Sequence, residues 1–256
     1  VLDPGYILSA PETDVNQCLL LGLVSTQPGD DWAWAPEAAA EIDQVDDTHI
    51  NFTLRDDIGW TNGFGAITAE DVKYSYERVA DPAMESPYAE DWVALQTVEV
   101  HDERSGTIVL NEAYAPLWTT TMPSGRGMIV CKEAVESLDG KRYEAAPPAV
   151  AGPYDIADWS PSQKLTLQAI DGYTGPNANP DYDTIEVYPI TDEQSAEIGF
   201  LAGDLDITTV PITSWQELQA NPPAGAVLAE HPSLKYVWMG INQDNELFSD
   251  IRLRKA

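Results

Sequence analysis

Positive charge is scarce in this chain. Thirteen Lys and Arg stand against 43 Asp and Glu, a formal net charge of −30 over 256 residues. A surface of that sign repels phosphate backbones and anionic lipid head groups, which argues against nucleic-acid binding and against docking on an acidic membrane. It favours solubility, suits a salty or extracellular setting, and draws in cationic ligands. Cysteine is nearly absent. Cys18 and Cys131 match no metal or redox spacing and read as two free thiols, with one disulfide in an oxidising compartment as the alternative. His49, His101 and His231 are scattered with no second ligand nearby, so no metal and no cofactor is expected. No apolar run approaches the roughly 20 residues needed to cross a bilayer as a helix. Gly-x-Ser-x-Gly, His-Glu-x-x-His and a phosphate-binding glycine loop are all missing. The positive case for an enzyme goes with them. A glycosidase-like hydrolase would use two carboxylates, but in so acidic a chain close pairs such as Asp204/Asp206 arise by chance. No catalytic residue is assigned.

Packing material is plentiful: eleven Tyr, eight Trp and four Phe, among short periodic runs broken by nineteen Pro and seventeen Gly. Asp14 to Val24 reads as a helical stripe running into an apolar stretch. His49 to Leu54 alternates, placing Ile50, Phe52 and Leu54 on one face of a half-buried strand. Trp60-Thr-Asn-Gly63 is a turn. Thr68-Ala-Glu-Asp71 opens a helix with a capping box, Val72, Tyr76 and Val79 mark its apolar face, and Asp81-Pro82 ends it. Further strands are expected at 93–100, 107–110, 164–170, 184–190 and 236–241. Further helices should start at Thr191 and Ser214, the first closed by Gly203. The elements lack the even rhythm of a doubly wound sheet, so a mixed α+β fold is expected. The chain begins abruptly at Val1-Leu2-Asp3-Pro4, and the run from Asp250 to Ala256 reads as the opening of a helix, so a fragment is expected.

Taken in order, a series of short segments resembles family 5 of the extracellular solute-binding proteins, the peptide-, nickel- and oligopeptide-binding components of ABC transporters. The series starts with Leu2-Asp3-Pro4, Leu21-Gly22-Leu23-Val24 and Pro36-Glu-Ala-Ala-Ala-Glu41. It continues with Thr53-Leu54-Arg55, Trp60-Thr-Asn-Gly63, Thr68-Ala-Glu-Asp-Val72, Arg78-Val-Ala-Asp-Pro82, Ser86-Pro-Tyr88 and Ala113-Tyr-Ala-Pro116. Gly152-Pro-Tyr154 with Trp159, Ala202-Gly-Asp-Leu-Asp-Ile207, and Asn242 with Phe248-Ser-Asp-Ile-Arg-Leu-Arg254 complete it. Each piece alone is weak; their shared order is the signal.

The resemblance implies a periplasmic-binding-protein-like fold (type II, cluster C) in which the second lobe is missing. Residues 1–35 and 149–256 are expected to form first-lobe segments, and residues 36–148 the extra domain of the peptide-binding family. It implies a monomer in the periplasm or lipid-anchored at the cell surface, capturing a peptide-like or other small-molecule ligand between lobes and passing it to a membrane permease. A metal chelate or oligosaccharide as ligand, or a sensor or adhesion role for the same clamp, are the alternatives. It also nominates ligand-facing residues. Leu21, Gly22 and Leu23 lie where a first-lobe strand meets the ligand, although relatives often carry an acid at the position of Leu21. Tyr88 has an apolar body and a polar tip suited to a pocket wall. Asn242 can satisfy donors and acceptors of a peptide. Arg126, in a glycine-rich loop, can grip a carboxylate. Trp32 and Trp34 are candidates for the cleft wall.

Overall fold

The computed structural model describes residues 1–29, 33–230 and 238–255. Helix α1 spans Ala10–Leu19. It starts earlier than the apolar stripe suggested, because the Glu12 carboxylate receives the backbone N–H groups of Leu8 and Ser9 and fixes the start there. It ends at Leu19, and Leu20 is already extended. The chain then runs straight through Leu21–Leu23 into β1 (Val24–Thr26), which pairs antiparallel with β2 (Trp34–Pro36).

A four-stranded antiparallel sheet follows. It comprises β3 (Ala39–Gln44), β4 (His49–Leu54), β7 (Leu95–Val100) and β8 (Ser105–Leu110), in the spatial order β3-β4-β8-β7. The alternation in β4 is realised: Ile50, Phe52 and Leu54 are buried and the residues between them face outward. Between β4 and β7 the chain makes a small hairpin, β5 (Gly59–Trp60) with β6 (Gly65–Ala66), then helix α2 (Ala69–Ala80). Asn62 and Gly63 supply the left-handed residues of the hairpin turn, at φ of 60° and 82°. The capping box forms as expected, with Thr68 Oγ1 receiving Asp71 N–H and Asp71 Oδ2 receiving Thr68 N–H. Val72, Tyr76 and Val79 are buried. Helix α2 packs on β7, and Glu77 and Lys73 hydrogen-bond the N–H and C=O of Val98 across that contact.

After helix α3 (Lys132–Glu136), a three-stranded meander is formed by β9 (Tyr154–Ser160), β10 (Lys164–Ala169) and β11 (Thr184–Val187). One core unites most of the chain, from Leu2 through Leu19–Leu23, Tyr76, Trp92 and Met122 to Leu167. Beyond β11 that core all but stops. Among the described residues there only Ala196 is buried as a hydrophobe, while Ile198, Leu201, Ile207, Ile212, Val227, Trp238 and Leu247 are exposed.

Several expectations in this last stretch need correction. Helix α4 (Glu193–Ala202) is capped by Asp192, whose carboxylate receives Ser195 N–H, and not by Thr191; Gly203 closes it at φ 83° as expected. Helix α5 (Trp215–Ala220) follows Ser214, but that hydroxyl binds the Glu197 carboxylate instead of capping. Residues 238–241 form no strand and expose Trp238 and Met239, since no neighbouring strand covers them; Tyr236 and Val237 lie outside the described residues. Helix α6 (Ile251–Lys255) starts at Asp250, which caps it through Arg252 N–H. Cys18 and Cys131 are free thiols.

Backbone crowding fixes the loop after Thr121. A Cβ on Gly127 would lie 2.1 Å from the carbonyl oxygen of Met122, a backbone atom with nowhere to go. On Gly125 it would meet only the mobile tip of Ile7. Gly127→Ala is therefore expected to cost about 1–3 kcal/mol, typical of overpacking, and more than Gly125→Ala. Urea unfolding of both variants checks this, and equal midpoints would refute it.

Candidate functional site

The Leu21–Leu23 segment lies between two other pieces of chain. On one side Ile129 N–H donates to the Leu21 carbonyl at 2.8 Å, and Gly22 forms an isolated antiparallel bridge with Met128. On the other, Ala38 N–H donates to the Gly22 carbonyl and Glu37 N–H to that of Leu23, each at 2.9 Å. The Leu21 and Leu23 side chains are fully in the core. These carbonyls are thus occupied by the protein itself, and what the segment can present to a ligand is the surface beside Gly22. A glycine is required there, since a Cβ would press to 2.9 Å from the Val24 carbonyl oxygen.

Glu37 occupies that surface. Its Oε2 receives Gly22 N–H at 2.7 Å, and burial, offset by that bond, pushes its carboxyl up to about 7. Two phenols surround it electrostatically. Tyr76 is fully buried beneath, stacked on Trp92 with centroids 4.2 Å apart. Tyr173 keeps a buried hydroxyl without a hydrogen-bond partner, and burial, then the Glu37 charge, raise its phenol well above the usual range. Sequence reasoning passed over Glu37 because Pro36-Glu-Ala-Ala-Ala-Glu41 was read as a motif; the available signal was an acid close to a segment lacking one at Leu21.

Two nominated residues meet. The Arg126 guanidinium lies over the Tyr88 ring, 4.6 Å from its centroid, a cation–π contact. Both are also held by other groups. Tyr88 donates its hydroxyl to the Ile7 carbonyl, and Arg126 pairs with Asp91 at 3.0 Å and donates to the Thr120 carbonyl. The pair anchors the loop at 86–92 to the loop at 120–127, and an incoming carboxylate has to compete with Asp91 for Arg126. Trp34 is half-buried and stacks on Trp118, with centroids 4.6 Å apart and the rings inclined by 19°. Trp118 in turn donates its ring N–H to Gln44. Trp32 lies outside the described residues. Asn242 stands apart, exposed, with its side-chain oxygen receiving Asp244 N–H in a local turn.

The roomiest groove, about 860 Å³, lies elsewhere, lined by Phe200, Leu201, Ile207, Trp215 and Leu218 of the poorly covered C-terminal stretch. None of the nominated residues lines it. Among the described residues no group of three or more His, Cys, Asp or Glu is arranged to hold a metal.

The model of the bacterial extracellular solute-binding proteins, family 5 Middle, matches residues 33–256. The chain belongs to this family. It is 27% identical to the periplasmic oligopeptide-binding protein OppA of Salmonella typhimurium over 275 residues, covering all of this chain and 49% of that one. The murein tripeptide-binding protein MppA of Escherichia coli superposes with a TM-score of 0.76 at 26% identity, over 88% of this chain and 46% of MppA. The oligopeptide-binding protein AppA of Bacillus subtilis, solved with a nonapeptide, superposes with a TM-score of 0.82 at 21% identity, over 97% of this chain and 49% of AppA. The chain therefore spans about half the length of the relatives it matches. Its fold is the mixed α/β fold of the periplasmic binding proteins, matching a partial first lobe. These relatives are binding proteins, not enzymes.

Proposed function

We propose that this chain is part of the extracytoplasmic solute-binding component of an ABC importer, which captures a peptide-like ligand between two lobes and hands it to a membrane permease. The observation that carries this reading is the family match from residue 33 to residue 256, joined to superposition on peptide-binding relatives. The packing is compatible with it. Residues 1–35 and 149–256 are assigned to the first lobe and residues 36–148 to the extra domain; the β3-β4-β8-β7 sheet and α2 fall wholly within the latter. Clamp closure brings ligand against the Leu21–Leu23 segment, with the Tyr88–Arg126 pair and Trp34 as first-lobe contacts. Backbone recognition of this kind tolerates varied side chains. None of the described helices is long and apolar enough to cross a membrane, so the binding component is assigned a place outside the cytoplasm as a monomer, free or lipid-anchored, with the permease as its partner.

Native mass spectrometry of the complete gene product, purified from its own secretion pathway, tests the reading. A co-purified series of peptides is the expected result. A protein that arrives empty, and shows no thermal shift with peptides, metal chelates or oligosaccharides, overturns it.

A further inference from the structure

Glu37 has an environment that a purely structural carboxylate does not need. Its position is fixed twice, by its own N–H on the Leu23 carbonyl and by Oε2 on Gly22 N–H. It lies half-buried against the segment through which the first lobe is assigned to meet its ligand. Yet among the described residues it has no ion pair. The basic groups of neighbouring elements are already engaged: Arg55, whose charge reaches Tyr173, is held by Asp57 at 2.6 Å, and Arg78 of α2 by Asp3. The titratable groups that face it are two neutral phenols, Tyr76 from α2 and Tyr173 from the stretch after β10. The Tyr173 hydroxyl is itself buried and unpartnered, an unused donor in the same environment.

We propose that Glu37 is the specificity-determining carboxylate that receives a protonated amine of the ligand. This rests on the solute-binding reading above, and it names a residue and a chemical class within it. A partly desolvated carboxylate with one oxygen on a backbone N–H keeps acceptor capacity on the other, and an ammonium group satisfies both that capacity and the missing charge. The acid that the sequence lacks at Leu21 is supplied across space, from the turn after β2. The proton balance follows from the burial. With its carboxyl pushed up to about 7, Glu37 is only partly ionised at neutral pH. Arrival of an ammonium group favours the carboxylate, and the carboxyl proton leaves to the buffer.

Glu37→Gln tests this, since the amide oxygen of Gln can still receive Gly22 N–H while the charge is removed. Trialanine and N-acetyl-trialanine are titrated calorimetrically into the complete gene product at pH 7, in two buffers of different ionisation heat. Wild-type protein is expected to bind trialanine with a buffer-dependent heat that reports proton release. The variant should bind it at least about tenfold more weakly, without that buffer dependence, as expected for loss of a charged partner. N-acetyl-trialanine should bind both proteins equally. Equal losses for both peptides, or no loss for either, overturn the assignment and leave Glu37 as a holder of the Gly22 backbone. Wild-type protein that binds neither peptide overturns the peptide reading, and the Glu37 assignment is then decided by its side-chain carboxyl ¹³C resonance under added putrescine. Movement to the ionised shift supports it; indifference to the amine overturns it.

Discussion

Asp3→Ala is expected to be the most damaging single substitution in the chain, costing about 3–5 kcal/mol, the usual penalty for stranding one member of a buried ion pair. The Asp3 side chain is fully buried and that of Arg78 is 4% exposed, and they meet in a two-pronged pair, with Arg78 Nη1 2.8 Å from Oδ2 and Nη2 2.6 Å from Oδ1. The carboxylate also receives Gly5 N–H and Tyr143 N–H, while the guanidinium donates to the Lys141 carbonyl. Three pieces of chain far apart in sequence converge there: the N-terminal segment, the last turn of α2 and the loop at 141–143. Without Asp3, a guanidinium remains in a place where water cannot reach it, and its Nε already has no partner. Domains of this kind are stable by roughly 5–15 kcal/mol, so the loss is a large share of the whole. Chemical denaturation of Asp3→Ala and of the double variant Asp3→Leu/Arg78→Met separates the causes. The double variant should lie closer to wild type than the single one, because no uncompensated charge is left. If both fall equally, the cost is packing and the electrostatic argument fails.

That ion pair also shows what a sequence can and cannot convey. Leu2-Asp3-Pro4 and Arg78-Val-Ala-Asp-Pro82 were each legible as pieces of a family pattern, but nothing in either string says that they touch. The same holds for Ser86-Pro-Tyr88: its serine binds the Gly5 carbonyl and its tyrosine the Ile7 carbonyl, so three such pieces prove to be one knot around the N-terminal segment. Where the determinant is local, sequence was enough. The Thr68/Asp71 capping box, the Ile50/Phe52/Leu54 alternation and the Asn62-Gly63 turn are each settled within a few residues, and each stands in the structure. Strand β3 was missed because Ala39-Ala-Glu-Ile-Asp-Gln44 has little strand character of its own and is held by its pairing to β4. The expected strand at 236–241 shows the reverse: apolar residues at 238–241 favour a strand, but no neighbour covers them.

The candidate site was legible to the same limited extent. Tyr88 and Arg126 were both nominated, but their mutual contact depends on how two loops pack. Glu37 escaped because its significance depends on Gly22, which approaches it through the β1–β2 reversal. A carboxylate becomes unusual through burial and lack of a partner, and neither is visible in a chain with so many acids.

That excess of acids leads to the second large expected effect: the melting temperature should rise with salt, starting at low concentrations. Thirteen basic side chains against 43 acidic ones leave most carboxylates without a cation to pair with. Existing pairs such as Lys164–Glu186, Lys132–Glu70 and Arg104–Asp56 are exposed or half-exposed. Salt weakens those attractions, but each is worth at most about 1 kcal/mol and commonly a few tenths. It also weakens the repulsion among all the unpaired acids within a screening length, which shrinks from about 30 Å at 0.01 M to about 10 Å at 0.1 M. With a formal charge of −30, repulsion is the larger sum, and it opposes the compact state more than the expanded one. A gain of about 2 kcal/mol, or roughly 4–8 °C in a domain of this size, is expected between 0.01 and 0.3 M NaCl. Confining the measurement to that range separates screening from the strengthening of apolar burial that excluded salts cause at higher concentrations. The Asp3–Arg78 pair, being dry, should not respond, so the destabilisation caused by Asp3→Ala should be the same at both ends of the range. A melting temperature that stays flat or falls over this interval would mean that the exposed pairs outweigh the excess charge, and that the acidic surface serves some end other than stability in salt.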